Sequence, residues 1–267
     1  YGRFPWSFVY REEDHDDTEK TFLGHTGRLN GEDIIDIVVK EPATARFICR
    51  HLYNFFVADE PQVPAWTIEP ANDEEALEAM ISSFVESGYE MKAVLRTILS
   101  SDFFKNARFS KIKSPAEVVA GTLKMVGSFK LPEPGIVAVA SQPGYMGQSL
   151  LDPPSVEGWH TGTEWINSGS LLARVNFVAD RVSDPSLPGI KNIINGMKAA
   201  GVSTPDELLD ASLESMGYLK LSAETREQLI GYSQSSGNLD WNDAATTETR
   251  VGEMLALVGA TTEYQFG

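Results

Sequence analysis

The chain has 267 residues, 42% hydrophobic and 22% charged, an ordinary balance for a globular protein with a sizeable core. Its 22 Lys and Arg against 38 Asp and Glu give a formal net charge of -16, which argues against a phosphate-binding surface for nucleic acid or anionic membrane and leaves cationic partners, divalent ions or plain solubility. A single cysteine, Cys49, excludes an intrachain disulfide, and no apolar run approaches the roughly 18 residues of a membrane span.

The first 31 residues read as loop. They open at an aromatic-rich stretch, Tyr1 to Tyr10, that reads as the interior of a longer or processed polypeptide. Glu12, Glu13, Asp14, Asp16 and Asp17 then surround His15. Hard oxygen donors this close suit calcium, with Asp14, Asp16 and Asp17 as ligands, but the spacing is not that of an EF-hand loop. A solvated acidic turn is the plainer reading.

From Glu32 onward the apolar spacing is helical. Ile34, Ile35, Val38 and Val39 mark a helix over 32–40, and Pro42 then serves as first-turn proline for one over 43–57. Asn72 with Glu75 forms a capping pair for a helix carrying Leu77, Met80, Ile81, Phe84 and Val85, which Gly88 ends. Met91, Val94, Leu95, Ile98 and Leu99 give the next. Ser114, Pro115 and Glu117 combine N-cap, first-turn proline and capping-box glutamate before the apolar face Val118, Val119, Leu123 and Val126. Pro132, Pro134 and Gly135 form a linker into a short helix that Pro143 and Gly144 break.

Leu171, Leu172, Val175, Val178, Ala179 and Val182 form a helix begun by Asn167 or Ser168. Asp184-Pro185 and Pro188-Gly189 close it and suggest a boundary. Residues 1–183 then make a main helical domain with a signature loop at 147–167, and residues 184–267 a C-terminal helical subdomain packed on it. Thr204-Pro205-Asp206-Glu207 repeats the helix-start pattern, and helices follow over 205–216, 222–235 and 247–258. No stretch alternates with period two. The predicted fold is all-α, an irregular array of short capped helices around a central Pro/Gly/Trp-rich loop.

Familiar catalytic signatures are missing. The sequence has no glycine-rich phosphate loop, nucleophile elbow or paired metal-binding histidines, and His15, His25, His51 and His160 are scattered. What stands out is the stretch from Gly147 to Arg181. Two prolines stiffen it, Gly158 and Gly162 permit turns, and Asp152, Trp159, His160, Glu164, Trp165, Arg174 and Asn176 concentrate aromatic and polar groups there. Two readings stay open. In one, these residues bind a ligand, with indole faces stacking on a sugar and carboxylates holding its hydroxyls; Asp152 and Glu164 would act as an acid–base pair if suitably spaced. In the other, which residue chemistry favours, the tryptophans anchor a structural loop and Arg174 bonds its carbonyls.

The same stretch resembles the signature of a bacterial family, domain of unknown function 1800. Gly147, Gln148, Leu150, Pro153, Pro154, Val156, Gly158, Trp159, Gly162, Trp165, Ile166, Leu171, Leu172, Arg174, Asn176 and Phe177 fall on its pattern. Leu151 stands where the family usually has Phe, Thr161 replaces one Gly, and His160 occupies a freely varying position. The segments 20–27, 41–61, 101–127 and 263–266 agree as well. The family's members are usually longer, so the resemblance implies a missing amino-terminal half.

That resemblance transfers no catalytic residue. It implies a predominantly helical, exported protein that accompanies members of another family, domain of unknown function 1501. The expectation is a scaffold or interaction protein of the cell envelope or exterior, without a cofactor unless calcium binds. Its partner would be a protein: the missing half, a second copy or a family 1501 protein. The alternative is a carbohydrate- or polymer-binding protein or hydrolase with its site at Trp159 to Trp165.

Overall fold

The computed structural model describes residues 9–129, 131 and 134–267; Pro132 of the expected linker and the first eight residues lie outside them. Helices dominate, as the apolar spacing predicts, and the chain forms two compact units. One comprises Tyr1–Tyr53 with Asp73–Ser101, the other Asn54–Asn72 with Asp102–Gly267.

In the first unit, β1 (Lys20–Phe22) pairs with β2 (His25–Gly27) in an antiparallel hairpin, with Thr21 opposite Thr26. The turn takes positive φ at Leu23 (46°) and Gly24 (83°), the conformation that closes two-residue hairpins. Three-residue strands are too short to show alternation, which is why this region reads as loop. Helix α1 (Gly31–Lys40) begins one residue before the expected start, because Asn30 and Asp33 form the capping box. Helix α2 (Pro42–Phe56) and α3 (Glu74–Glu86) follow, the latter capped by Asp73 rather than Asn72. Arg46 on α2 grips Glu74 on α3 with bonds of 2.6 and 2.8 Å. Together with α4 (Met91–Ser100), these helices bury Cys49, Leu77, Met80, Val94 and Ile98.

The second unit holds α5 (Asp102–Asn106), α6 (Pro115–Val126), α7 (Ile136–Ala140), α8 (Gln142–Tyr145) and α9 (Ser168–Val182). It continues through α10 (Pro188–Ala199), α11 (Pro205–Ser215), α12 (Ala223–Gln234), α13 (Ala244–Gly259) and α14 (Thr262–Gln265). Capping boxes at Ser114 and Thr204 start α6 and α11 where the sequence places them. Pro143 does not break a helix; it sits in the first turn of α8, where its missing N–H costs nothing.

Helix α9 packs against both α6 and α13 at the centre. Gly252 and Gly259, seven residues apart on α13, let it approach closely: a Cβ at Gly252 would stand 3.0 Å from Ser183 Cα, and one at Gly259 2.6 Å from Val178 Cγ1. Val178 and Val182 share one apolar cluster with Ile190, Leu208, Leu209, Val251 and Leu255. The boundary expected at 183/184 therefore does not separate two cores, since helices on both sides of it fill the same one.

Helix α10 is not anticipated from the sequence, where Pro188-Gly189 looks like a stop. Pro188 instead opens the helix, and Gly189 lies against the backbone of Met125 and Val126 at the end of α6. A Cβ at Gly189 would overlap the Met125 carbonyl oxygen, well inside van der Waals contact, with no flexible atom to give way. Gly196, in the interior of the same helix, has nothing within 4 Å of that position. In urea unfolding, Gly189→Ala should lose about 3 kcal/mol or fail to fold, whereas Gly196→Ala should gain about 0.5–1 kcal/mol from helix propensity. Equal effects from the two substitutions would refute this account of the α6–α10 packing.

Candidate functional site

The Pro/Gly/Trp-rich loop is pinned at both ends and bare in the middle. At its start Gly147 takes φ of 100°, and Gln148 turns its side-chain carbonyl to accept the Ala116 N–H at 2.9 Å, in the first turn of α6. At its end Gly162 (φ 66°) lies against the Asp59 side chain, where a Cβ would stand 3.2 Å from the carboxyl carbon. Next to it, the Gln62 amide donates to the Thr161 carbonyl at 3.0 Å. Residues 162–165 form a single 3-10 turn that delivers Trp165 into the interior, 6% exposed. Ser170 Oγ then donates to the Trp165 carbonyl at 2.7 Å, while Asn167 and Ser170 complete the capping box of α9.

Two turns along α9, Arg174 is fully buried, with 0% exposure. Its Nη1 donates to the Lys113 carbonyl at 2.8 Å and approaches Gln265 Oε1 at 3.4 Å. Lys113 N–H in turn donates to the Gln265 carbonyl, Ile112 pairs with Phe266, and Gly267 N–H donates to the Lys111 carbonyl. Gln265 Nε2 donates to the Gly259 carbonyl at 3.0 Å. One guanidinium therefore joins α9, the strand-like segment 111–113 and the segment after α13.

Several groups here sit away from their ordinary titration range. Burial lowers Arg174 to about 10, with Glu117 opposing. Lys113 is lowered for the same reason; its Nζ donates to the Tyr264 carbonyl at 2.6 Å and lies 4.4 Å from that ring's centre. Asp59 is raised by burial, against the Ile112 N–H at 2.8 Å and the charge of Lys111, which hold it down. Buried without a hydrogen-bond partner among the described residues are Asp59 Oδ1, Arg174 Nε and Nη2 and, further along α9, Arg181 Nε.

The model of the family described as "Protein of unknown function (DUF1800)" matches residues 3–266. The chain belongs to this family. No curated protein and no solved structure matches it.

In this DUF1800 chain the seven ligand-site candidates do not converge. Trp165 and Arg174 are interior, and Trp159 is half-buried. Asp152 is exposed on the turn that follows Ser149 and shares no hydrogen bond with Glu164. Glu164 instead takes His160 Nδ1 at 2.5 Å, with Glu157 4.0 Å from the other ring nitrogen. Asn176 is exposed and lines a separate 430 Å³ recess with Tyr145, Phe177 and Asp180. Being two residues from Arg174, it faces another side of α9.

The three acidic candidates also diverge. Asp14 faces Arg11 at 3.6 Å, Asp16 accepts the Thr18 N–H, and Asp17 meets His15 at 2.8 Å. Among the described residues no three His, Cys, Asp or Glu groups cluster as metal ligands would.

Sequence reasoning overlooks Asp59, Gln62, Lys113 and Gln265, the polar residues that hold the loop and Arg174. Their only signal is that they fall inside or beside the segments sharing the family pattern. A carboxyl raised on folding favours the folded state at low pH, and that contribution is lost as pH rises through the folded value. Asp59→Asn retains an acceptor for Ile112 N–H and should remove this loss. The urea midpoint of the wild type, relative to the variant, should fall as the pH is raised above about 4, the ordinary aspartate value. Parallel profiles would show that Asp59 does not titrate as its burial implies.

Proposed function

We propose that this chain is a noncatalytic helical interaction protein of the cell envelope or exterior, and that the middle of its signature loop is the element that docks a protein partner. The observation that carries this is the state of Leu151 and Val156. Leu151 is 97% exposed and Val156 entirely so, on a segment stiffened by Pro153-Pro154. Leu151 also holds φ of 64°, a left-handed conformation that costs a branched L-residue about 1–2 kcal/mol. An apolar side chain that is both strained and solvent-facing does not stabilise the free fold, and such outliers concentrate at binding elements.

The anchors on either side support the same reading. Gln148, Gly162, Trp165 and Ser170 are spent on fixing the loop's ends. A loop held so firmly keeps its tip preorganised, which lowers the entropy lost on docking. Location at the envelope or exterior rests on the family resemblance and on the acidic composition. The sugar-stacking alternative has less support, because Trp165 is buried, Trp159 is left as its one indole face, and Asp152 shares no hydrogen bond with Glu164.

Leu151→Asn suits the left-handed backbone and should raise stability by about 1 kcal/mol while abolishing docking. Docking is read with a photo-crosslinking amino acid at Val156 in the producing cell. One adduct of defined mass should form and should vanish with Leu151→Asn. Diffuse labelling, or an adduct indifferent to residue 151, would sink the proposal.

A further inference from the structure

Beyond Ser170 and Arg174, helix α9 carries a stripe that its internal contacts leave unexplained. Ala173, Asn176, Phe177, Asp180 and Arg181 recur at intervals of three and four, the spacing that on an amphipathic helix is apolar and faces a neighbour. Here the stripe lines a recess of about 430 Å³, with Gln142 and Tyr145 of α8 completing the lining. That volume is within the range of about 300–1,000 Å³ typical of ligand sites. Phe177 is 6% exposed and belongs to the apolar core, against which Ala173 also packs, so the floor of the recess is firm.

The polar groups around that floor are not used by the fold. Among the described residues, no hydrogen bond or ion pair engages the side chains of Asn176 and Asp180 or the Tyr145 hydroxyl. Gln142 makes only a 3.4 Å bond to the Ala138 carbonyl. The Arg181 guanidinium lies 4.7 Å from the centre of the Phe177 ring, and its Nε is enclosed without a partner. Stacking on Phe177 holds this donor in place without consuming its hydrogen bonds.

The inventory selects the ligand. Asp180 accepts, Arg181 donates, and Asn176 and Gln142 each do both. The formal charges of Asp180 and Arg181 cancel, which favours neither an anion nor a cation. Neighbouring hydroxyl groups fit such a set, because each donates to one side chain and accepts from another. The apolar floor and the ring of Tyr145, 71% exposed, suit the C–H face of the same molecule. A zwitterion would match Asp180 and Arg181 but leave both carboxamides unpaired, which costs binding energy. We propose that this recess is a carbohydrate site for a neutral sugar unit, with Asn176, Asp180 and Arg181 on its hydroxyl groups and Tyr145 against its ring. It uses none of the docking loop's residues and adds a second ligand to that reading.

Saturation-transfer NMR followed by calorimetry tests this on the whole chain. Maltotriose, cellotriose and chitotriose serve as neutral probes, trigalacturonic acid as an anionic one and glycylglycine as a zwitterion. At least one neutral trisaccharide should bind at about 1 mM or tighter, ahead of the acidic sugar and the dipeptide. Asn176→Ala and Asp180→Ala should each weaken it at least about tenfold. Both side chains are exposed, so the variants should melt as the wild type does; if Asp180→Ala does not, Asp180→Asn takes its place. Tyr145→Phe should retain the affinity and Tyr145→Ala should not, which separates a ring contact from a hydroxyl bond. The proposal fails if none of the neutral sugars binds or if the acidic sugar or the dipeptide binds better. It fails equally if the substitutions at positions 176 and 180 leave the affinity unchanged.

Discussion

Removing a guanidinium from water costs several kcal/mol even after the surrounding protein relaxes, and only well-placed acceptors and nearby opposite charge offset it. Arg174 is in that position on α9, held by the Lys113 carbonyl and by Gln265, with Glu117 as the carboxylate that acts on it electrostatically. The arrangement makes three remote stretches interdependent. If residues 111–113 or 264–267 move, the guanidinium loses its acceptors while still enclosed. Through Ser170 and the Trp165 carbonyl, the same helix also fixes the end of the signature loop.

The loop follows from this framework. Its closing half is organised by Asp59, Gln62 and Trp165, and its opening half by Gln148 at the start of α6. Between them the chain has few internal bonds: the Ser149–Asp152 turn and the bonds of Glu157 and Gly158 with Ser155. A segment with fixed ends and a sparse interior presents its apolar residues outward for a geometric reason, since no element among the described residues covers them.

Much of the helical order is legible because helix starts are local events. Ser114 and Thr204 cap with their own downstream glutamates, and the pattern needs no tertiary information. The shift from Asn72 to Asp73 shows the resolution of such reasoning, since either residue can cap and the backbone selects one. The hairpin at residues 20–27 escapes because three-residue strands carry no periodicity. The site is less legible than the fold. The concentration of aromatic and polar groups draws the eye to Trp165 and Arg174 as candidate ligand contacts, yet sequence cannot distinguish a polar group lining a cleft from one enclosed by helices. Lys113 and Gln265 are nearly invisible, because they act over separations of 61 and 91 residues from Arg174.

The meeting of α6 with α10 also has an electrostatic side. Met125 and Val126 belong to the last turn of α6, where carbonyl groups run out of intrahelical partners and leave a partial negative charge. Gly189 belongs to the first turn of α10, where unpartnered N–H groups leave a partial positive one. Leu187, at the N-cap of α10, contributes no side-chain oxygen. By admitting the carbonyl end of one helix to the amide end of the next, a residue without a side chain lets two opposite partial charges meet.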